Sequence, residues 1–192
     1  MTDKVSWKPG TMIYPLPAVM VSCGSSREEY NIITIAWTGT VCTDPPMCYI
    51  SVRPSRHSYG IIKRTGEFVI NLTTADLARH TDWCGVKSGR DTDKFKETGL
   101  TPVAGDIVKA PLIKESPVNI ECVVTEIKEL GVHHMFLAEV VAIHATGSYL
   151  DKKTGLFNFN DSRPICYSHG KYYETGAFIG KFGFSVKKRR KK

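Results

Sequence analysis

The sequence lacks the motifs that mark the commonest nucleotide-binding and hydrolytic folds. It contains no G-x-G-x-x-G loop and no Walker A loop, and its short strand-like runs do not alternate regularly with long helices, so a doubly wound sheet is disfavoured. No G-x-S-x-G elbow fixes a serine nucleophile. The sequence therefore offers no self-sufficient catalytic group, which favours a protein whose chemistry is carried by a bound organic cofactor.

Long apolar runs and paired cysteine motifs are also missing. Residues 135–143 form the nearest approach to a membrane span, but Glu139 interrupts them. The first four residues are polar and of mixed charge, with no apolar core or small-residue cleavage site behind them. Six cysteines occur without any C-x-x-C pair, and several sit in apolar runs, a pattern typical of reduced, buried thiols. We therefore expect a soluble cytoplasmic protein with no membrane partner.

Most of the positive charge is confined to the end of the chain. The 192 residues carry a formal net charge of +7, but residues 187–192 are all basic, and without them 20 basic side chains stand against 19 acidic ones. We expect one domain over residues 1–186 and a disordered basic tail over residues 187–192. A basic-tailed β-barrel that binds nucleic acid is a distant alternative, and the near-neutral body makes nucleic acid an unlikely partner.

Strand-like segments dominate the rest of the chain. In one of them, apolar residues alternate with the polar Asn119, Glu121 and Thr125, which predicts a sheet with one solvent-facing side. Six or more antiparallel strands with few helices favour a closed or nearly closed barrel, because closure removes exposed edges. The segments are rich in Val, Ile, Tyr, Phe and Thr and predict strands over residues 18–23, 32–41, 47–52, 67–72, 118–127 and 135–145.

Helical patterns are fewer and shorter than the strand-like ones. One follows Ser58, one spans residues 74–83, and one spans residues 91–97. Ser58 and Asp91 are cap candidates for the first and the last of these helices. The segment 98–117 is rich in Gly and Pro, and we expect it to be irregular and to cover one end of the barrel.

Residues 51–58, Ser-Val-Arg-Pro-Ser-Arg-His-Ser, lie where a predicted strand ends and a predicted helix begins. Arg53 and Arg56 supply two guanidiniums beside three hydroxyls, and arginine binds phosphate oxygens in a bidentate way. Free N–H groups at the start of the helix would add to such an anion site. The alternative is a loop whose hydroxyls cap the helix and whose arginines are only solvated.

The histidines give no metal-binding pattern. His133 and His134 are adjacent, and neighbours on a strand point to opposite faces, so the two would not chelate one ion without a distortion. The other four histidines are scattered along the chain. We therefore predict neither a metal site nor a catalytic side chain.

The order of several segments along the chain is distinctive. They are residues 31–37 (Asn-Ile-Ile-Thr-Ile-Ala-Trp), 43–46 (Thr-Asp-Pro-Pro), 51–58, 66–72 (Gly-Glu-Phe-Val-Ile-Asn-Leu), 84–85, 88–95 and 134–140. Together they resemble the flavin reductase-like FMN-binding family, which includes flavoredoxin-type proteins, over nearly the whole chain except the basic tail. The resemblance implies an FMN-binding split β-barrel with a few short peripheral helices, usually a homodimer with FMN near the subunit interface. It agrees with the mainly β fold predicted from the strand pattern.

The resemblance also implies which residues bind FMN. Residues 31–37 match the segment that lines the flavin, whose ring needs hydrogen-bonding partners and apolar walls, although ordinary core packing is an alternative for Trp37. Residues 51–58 match the region that receives the ribityl phosphate, with either Arg53 or Arg56 as its ligand. Lys87 and Ser88 match a second loop that closes on the cofactor, where a simple turn is the alternative. The candidate cofactor-binding residues are Asn31, Thr34, Ala36, Trp37, Ser51, Val52, Arg53, Ser55, Arg56, Ser58, Lys87 and Ser88.

The function implied by the resemblance is that of an FMN-binding oxidoreductase. A reduced nicotinamide, NADH or NADPH, would pass a hydride to FMN, and electrons would go on to a flavin, another small molecule or a protein acceptor. The chain would position donor and ring and stabilise the charge of the reduced flavin. The nearest alternative is a non-enzymatic FMN electron carrier of the flavoredoxin kind.

Overall fold

The computed structural model describes residues 3–186, and the predicted basic tail at residues 187–192 lies outside the described residues. Within this range the strands form three antiparallel sheets of seven, three and two strands. The strands are β1 (Leu16–Pro17), β2 (Val19–Cys23), β3 (Asn31–Ile35), β4 (Thr38–Thr43), β5 (Pro46–Val52), β6 (Glu67–Leu72), β7 (Pro102–Val103), β8 (Leu112–Ile113), β9 (Val118–Glu129), β10 (His134–Ala145), β11 (Ile165–Ser168) and β12 (Lys171–Glu174).

The helices are short and lie between the strands. The α-helices are α1 (His57–Thr65), α2 (Ala78–Val86) and α3 (Lys94–Thr98), and four 3-10 helices span Ala75–Leu77, Gly147–Tyr149, Phe159–Ser162 and Phe184–Val186. In the described part of the chain, no helix has the length and apolar character needed to cross a membrane.

The seven-stranded sheet curls until its two ends meet. Its strand order is β3-β2-β6-β9-β10-β5-β4, so the end strands β3 and β4 are neighbours in sequence and are joined only by Ala36 and Trp37. Such a short link between opposite ends of a sheet requires the sheet to roll up into a barrel. The Ser51 N–H donates to the Trp37 carbonyl at 2.9 Å across the junction. The predicted barrel of antiparallel strands is confirmed.

The barrel interior is filled by apolar side chains from alternate strand positions. Phe68, Phe136 and Ile50 are fully buried in it, and α1 contributes Tyr59 and Ile62. α1 follows β5 after a short loop. Its apolar residues pack into the barrel core and close one end of the barrel. This packing fixes the position of the first residues of α1, and therefore the position of the loop that precedes them.

Two further layers cover the outside of the sheet. α2 and α3 pack on β2 and β3 through a second apolar cluster that includes Met20, Ile32 and Phe95. The segment 98–117 lies on the outer face of β6, where Val69 packs against Val108, Ala110 and Leu112. The expectation that this segment covers an end of the barrel is therefore wrong, because its buried residues pack on the outer face of β6.

The polar side of β9 is buried where the segment 98–117 crosses it. Asn119 is 7% exposed and Glu121 is 0% exposed, so the prediction of a solvent-facing side is wrong at these positions. Glu121 accepts hydrogen bonds from the N–H groups of Asp106, Ile107 and Val108 and from His144. Burial raises the pKa of Glu121, but these donors outweigh burial and lower the pKa to about 2.

The predicted strands are all present, with one correction. Residues 32–41 form two strands, because the backbone bends at Ala36 and Trp37 to pass from one end of the sheet to the other. The missed strands β1, β7, β8, β11 and β12 have two to four residues and are too short to show an alternating pattern.

The predicted helices are present, but two of their caps are wrong. Ser58 lies inside α1, whose cap position is held by Arg56 without a side-chain bond. The cap of α3 is Asp93 and not Asp91, since the Asp93 carboxylate accepts the Lys96 N–H at 3.1 Å. Ser58 is available for another bond because it does not cap α1.

A small sheet in the order β1-β11-β12 stands beside the barrel. It is fastened to the segment before α2, where the Ala75 N–H donates to the Arg163 carbonyl at 2.9 Å. Arg163 also bonds the carboxylates of Asp76 and Glu174. The chain near residue 165 is thereby brought next to α2 and to the junction of β3 and β4.

Replacing Glu121 with Gln should lower the free energy of unfolding by about 2 kcal/mol at pH 7, because one amide oxygen cannot satisfy the donors that the carboxylate satisfies. The exposed Glu139→Gln on β10 is the control and should change little. The folded-state pKa lies below the ordinary 4.5, so the carboxylate stabilises fully above pH 4.5 and this contribution is lost as the pH falls toward 2. Urea unfolding at pH 7 and pH 3 should show the wild-type advantage shrinking at pH 3, and an equal advantage at both would contradict this assignment.

Candidate functional site

A cavity of about 600 Å³ opens at the junction where the barrel closes. Five parts of the chain line it: the small sheet with the segment before it, β3 with the following bend, the end of β5 with its loop, the end of α2, and the turn between β9 and β10. The lining residues are Tyr14, Ala18, Ile33, Thr34, Ile35, Ala36, Trp37, Ser51, Val52, Arg53, Ser55, Arg56, Asp82, Gly85, Val86, His133, Tyr167, Gly170 and Tyr172.

The edge of β3 forms one wall of the cavity. Among the described strands β3 pairs only with β2, so backbone groups on its other edge lack a ladder partner. Ile33, Thr34 and Ile35 contribute to the lining, and the bend at Ala36 and Trp37 continues it. Unpaired backbone donors and acceptors of this kind can bind the polar edge of a planar ligand.

The loop between β5 and α1 forms the basic end of the cavity. The Arg56 N–H donates to the Arg53 carbonyl at 3.0 Å, which turns the chain and places Arg53, Ser55 and Arg56 on the cavity wall. The Arg56 guanidinium donates to the Gly85 carbonyl at 2.6 Å, and Arg90 donates to the Ser55 carbonyl at 3.2 Å. The loop is therefore held from two sides, and most of the Arg56 donors remain available to an anion.

An aromatic pair lies next to the basic end. The rings of Trp37 and His133 are 4.3 Å apart between centroids and tilted by 52°. Burial, together with the charge of Arg53, lowers the pKa of His133, so its imidazole is neutral at pH 7. Trp37 lines the cavity and packs on His133, but it is only half-buried and belongs to none of the apolar core clusters of residues 3–186, so its contact with a cofactor stays a prediction.

Three tyrosines, Tyr14 before β1 and two from the small sheet, form another wall of the cavity. Tyr167 lies 5.5 Å from Tyr172 and 6.5 Å from Tyr14, between ring centroids. Burial and the neighbouring Asp82 carboxylate together raise the pKa of Tyr172 to about 12. The Tyr172 hydroxyl donates a hydrogen bond to that carboxylate. The Tyr172 hydroxyl therefore keeps its proton at any physiological pH.

Eight of the twelve sequence-predicted site residues come together in this cavity. They are Thr34, Ala36, Trp37, Ser51, Val52, Arg53, Ser55 and Arg56. The side chain of Thr34 donates to the Thr81 carbonyl of α2, so the hydroxyl is used to fasten β3 to α2. What β3 offers the cavity at this position is therefore chiefly its backbone.

The other four predicted residues lie outside the lining. The buried Asn31 amide donates to the Ser58 hydroxyl at 2.8 Å, which joins β3 to α1 beneath the loop. Lys87 and Ser88 follow the end of α2, and the Ser88 hydroxyl accepts the Arg90 N–H at 3.2 Å, as in a turn. Direct contact of these four with a cofactor stays a prediction, and their observed bonds support the loops that carry the lining residues.

Sequence reasoning missed the walls that come from distant segments. Tyr14, Tyr167 and Tyr172 belong to strands and loops without a recognisable pattern, and Asp82 lies in a helix that no pattern linked to a cofactor. Tyrosine enrichment near the C-terminal end was the available signal, but nothing in the sequence indicates that this segment returns to β3. In residues 3–186 no group of three His, Cys, Asp or Glu side chains is arranged to hold a metal ion.

The model of the flavin reductase like domain family matches residues 11–176, and the chain belongs to this family. The flavoredoxin of Desulfovibrio vulgaris (Miyazaki F) is 33% identical with a TM-score of 0.87, covering 96% of this chain and 100% of that one. A flavoredoxin from Methanosarcina acetivorans is 26% identical with a TM-score of 0.86, covering 97% and 100%. A protein with a split barrel domain from Shewanella frigidimarina has a TM-score of 0.78 at 19% identity, covering 88% and 86%, and shares the fold. The predicted family and the predicted split β-barrel are both confirmed.

Replacing Gly89 with Ala should destabilise the protein by about 1–3 kcal/mol, measured by urea unfolding. A Cβ at Gly89 would lie 2.6 Å from Cγ and 2.8 Å from Nδ2 of Asn31, and nearer still to its Oδ1. Asn31 is 3% exposed and bonded to Ser58, so it cannot move aside without breaking that bond. Gly60→Ala in α1 is the control, because nothing lies within 4 Å of its Cβ, and it should be neutral or stabilising. Equal stability of the two variants would show that Asn31 is not held as described.

Proposed function

We propose that the protein is an FMN-binding oxidoreductase of the flavin reductase type, which passes electrons from NADH or NADPH through FMN to a flavin or another acceptor. Membership of the flavin reductase like domain family supports a flavin-dependent function. The observation that carries the proposal is the cavity itself, because a basic loop, an unpaired strand edge and aromatic walls meet in one space.

The basic end of the cavity fits the phosphate of FMN. Arg53 and Arg56 bring two guanidiniums to a loop that immediately precedes α1, so the first N–H groups of that helix lie behind the same loop. A dianionic phosphate suits this combination of charge and donors, and the Ser55 hydroxyl adds a further donor. The Arg56 bond to Gly85 orients the guanidinium before any ligand arrives.

The remaining walls fit a flavin ring. A volume of about 600 Å³ is within the range of cofactor cavities. The edge of β3 and the bend at Ala36 and Trp37 offer backbone donors and acceptors for ring carbonyls and nitrogens, while Trp37 and the tyrosine wall offer flat apolar surfaces. FMN, when bound, supplies the capacity to accept a hydride and to release electrons.

The residues of this chain act in the proposed function by binding and orientation. β3, fastened to α2 by Thr34, holds the polar edge of the ring, and the 53–56 loop holds its phosphate end. Tyr172 remains protonated near neutrality and donates its one hydroxyl proton to Asp82, so it contributes an uncharged aromatic surface to the cavity. No side chain needs to act as an acid or a base, since solvent can exchange protons with the product.

We further propose that the protein is a homodimer of the cytoplasm. Large apolar side chains are exposed near both ends of the described chain, including Trp7, Ile13, Phe178 and Phe182, and a second copy would cover such surface. The six cysteines are free, four of them buried, as suits a reducing compartment.

A non-enzymatic FMN electron carrier is the second candidate, and the 33% identity to a flavoredoxin favours it. Purified protein is expected to bind FMN with a flavin absorbance spectrum and to oxidise NADH or NADPH when a flavin or quinone acceptor is added. Free FMN at equal concentration is the control. Bound FMN without consumption of either nicotinamide would support the carrier, whereas no FMN binding at all would contradict both candidates.

Replacing Arg56 with Ala should weaken FMN binding roughly ten- to a hundredfold while changing riboflavin binding far less, because only FMN carries the phosphate that the guanidinium binds. Fluorescence titration with both flavins measures the two affinities. Arg79→Ala on the exposed side of α2 is the control and should leave both unchanged. Equal losses for FMN and riboflavin in the Arg56 variant would show that the loop does not bind phosphate. The same pair of titrations on Arg53→Ala decides whether one guanidinium or both contribute.

A further inference from the structure

Lys94, the first residue of α3, is buried with only 3% of its surface exposed. Its ammonium donates to the Ile32 carbonyl at 2.7 Å and to the Cys84 carbonyl at 2.6 Å. Within residues 3–186 no carboxylate lies within ion-pair distance of its Nζ. A lysine is rarely buried without a carboxylate partner, because removing the charge from water is costly. The two carbonyls must therefore provide the compensation.

Both carbonyls belong to parts of the chain that need such a donor. The Ile32 carbonyl lies on β3, the end strand of the seven-stranded sheet, where half of the backbone groups lack a ladder partner. The Cys84 carbonyl is among the last carbonyls of α2, which have no partner within the helix and carry its partial negative charge. One ammonium thus joins the edge of β3 to the C-terminal turn of α2.

The same turn of α2 holds the loop of residues 53–56, where the phosphate is proposed to bind. Gly85 follows Cys84, and its carbonyl accepts the Arg56 guanidinium at 2.6 Å. Gly85 also packs against Thr34 so closely that a Cβ on it would lie 3.2 Å from the Thr34 Cβ. A shift in the end of α2 would therefore move β3 and the Arg56 guanidinium together.

We propose that Lys94 is a positioning residue of the cavity, whose ammonium fixes the edge of β3 and the end of α2 and, through Gly85, the guanidinium of Arg56. The proposal rests on the proposed binding of FMN in this cavity. Lys94 does not line the cavity and so acts without touching the bound group. Its positive charge also lies near Arg56, and it therefore favours an anion on the loop.

The pKa of the Lys94 ammonium lies far enough below its ordinary value for its charge to change near pH 8. Burial lowers the pKa of Lys94 to about 8, and the charge of Arg56 adds to this effect. The other titratable groups that face it change charge outside the interval from pH 7 to 9. Burial raises the pKa of Cys84 to about 11 and that of Cys23 to about 12, and the pKa of His57 is lowered from 6.5 by burial and nearby positive charge.

The wild-type protein gives the first test, which needs no variant. FMN, as a dianion above pH 7, should bind about three- to tenfold more weakly at pH 9 than at pH 7, with a midpoint near pH 8, because the loss of the Lys94 proton removes a favourable charge. Riboflavin binding, measured in the same titrations, should change less. A flat FMN profile over this interval would overturn the role assigned to the Lys94 charge.

Lys94→Met gives the second test, with Lys96→Met on the exposed side of α3 as the matched control. A methionine side chain has similar length but no donor, so FMN affinity at pH 7 should fall by about tenfold or more, and the dependence on pH between 7 and 9 should disappear. The Lys96 variant should bind FMN as the wild type does and keep the pH profile. Folding of each variant is checked by circular dichroism, and Lys94→Gln, which keeps a neutral donor, replaces Lys94→Met if the latter does not fold.

The outcomes separate the two proposals. Wild-type affinity and an unchanged pH profile in a folded Lys94 variant would overturn the positioning role while leaving FMN binding intact. Failure of the wild-type protein to bind either flavin would instead refute the proposed function.

Discussion

The closure of the seven-stranded sheet at Ala36 and Trp37 is the constraint on which the site depends. Because β3 and β4 are sequence neighbours at opposite ends of the strand order, the two-residue link draws the sheet into a barrel and leaves the outer edge of β3 unpaired. The same closure places the end of β5 beside that edge, as the bond from Ser51 to Trp37 shows. The basic loop after β5 and the polar edge of β3 are therefore brought together by topology.

An unpaired strand edge needs support, and the outer layer provides it. Thr34 and Lys94 fasten β3 to α2, while Asn31 fastens it to Ser58 of α1. The family resemblance associates Thr34, Asn31 and Ser58 with a cofactor, yet all three bond to protein groups in this structure. Polar residues near a binding cavity can thus serve the ligand indirectly, by holding the backbone that touches it.

The sequence was sufficient for the fold class and for the basic loop, since long alternating strands and an Arg-rich strand-to-helix junction are local patterns. It could not show that residues 32–41 bend into two strands, because the bend is required by closure of the whole sheet and not by a local pattern. Nor could it show that Glu121 is buried, because the covering loop is distant in sequence and buried carboxylates are uncommon. The tyrosine wall could not be predicted for a related reason. The short strands β11 and β12 reach the cavity only through pairing with β1 and contacts near α2.

A crystal structure of the protein grown with FMN is the most direct measurement of whether this cavity is the cofactor site. The phosphate is expected on the loop of residues 53–56, within hydrogen-bond distance of at least one of the two guanidiniums. The ring is expected along the edge of β3, between the bend at Trp37 and the tyrosine wall. FMN bound elsewhere, or bound here with its phosphate directed away from the loop, would contradict the assignment.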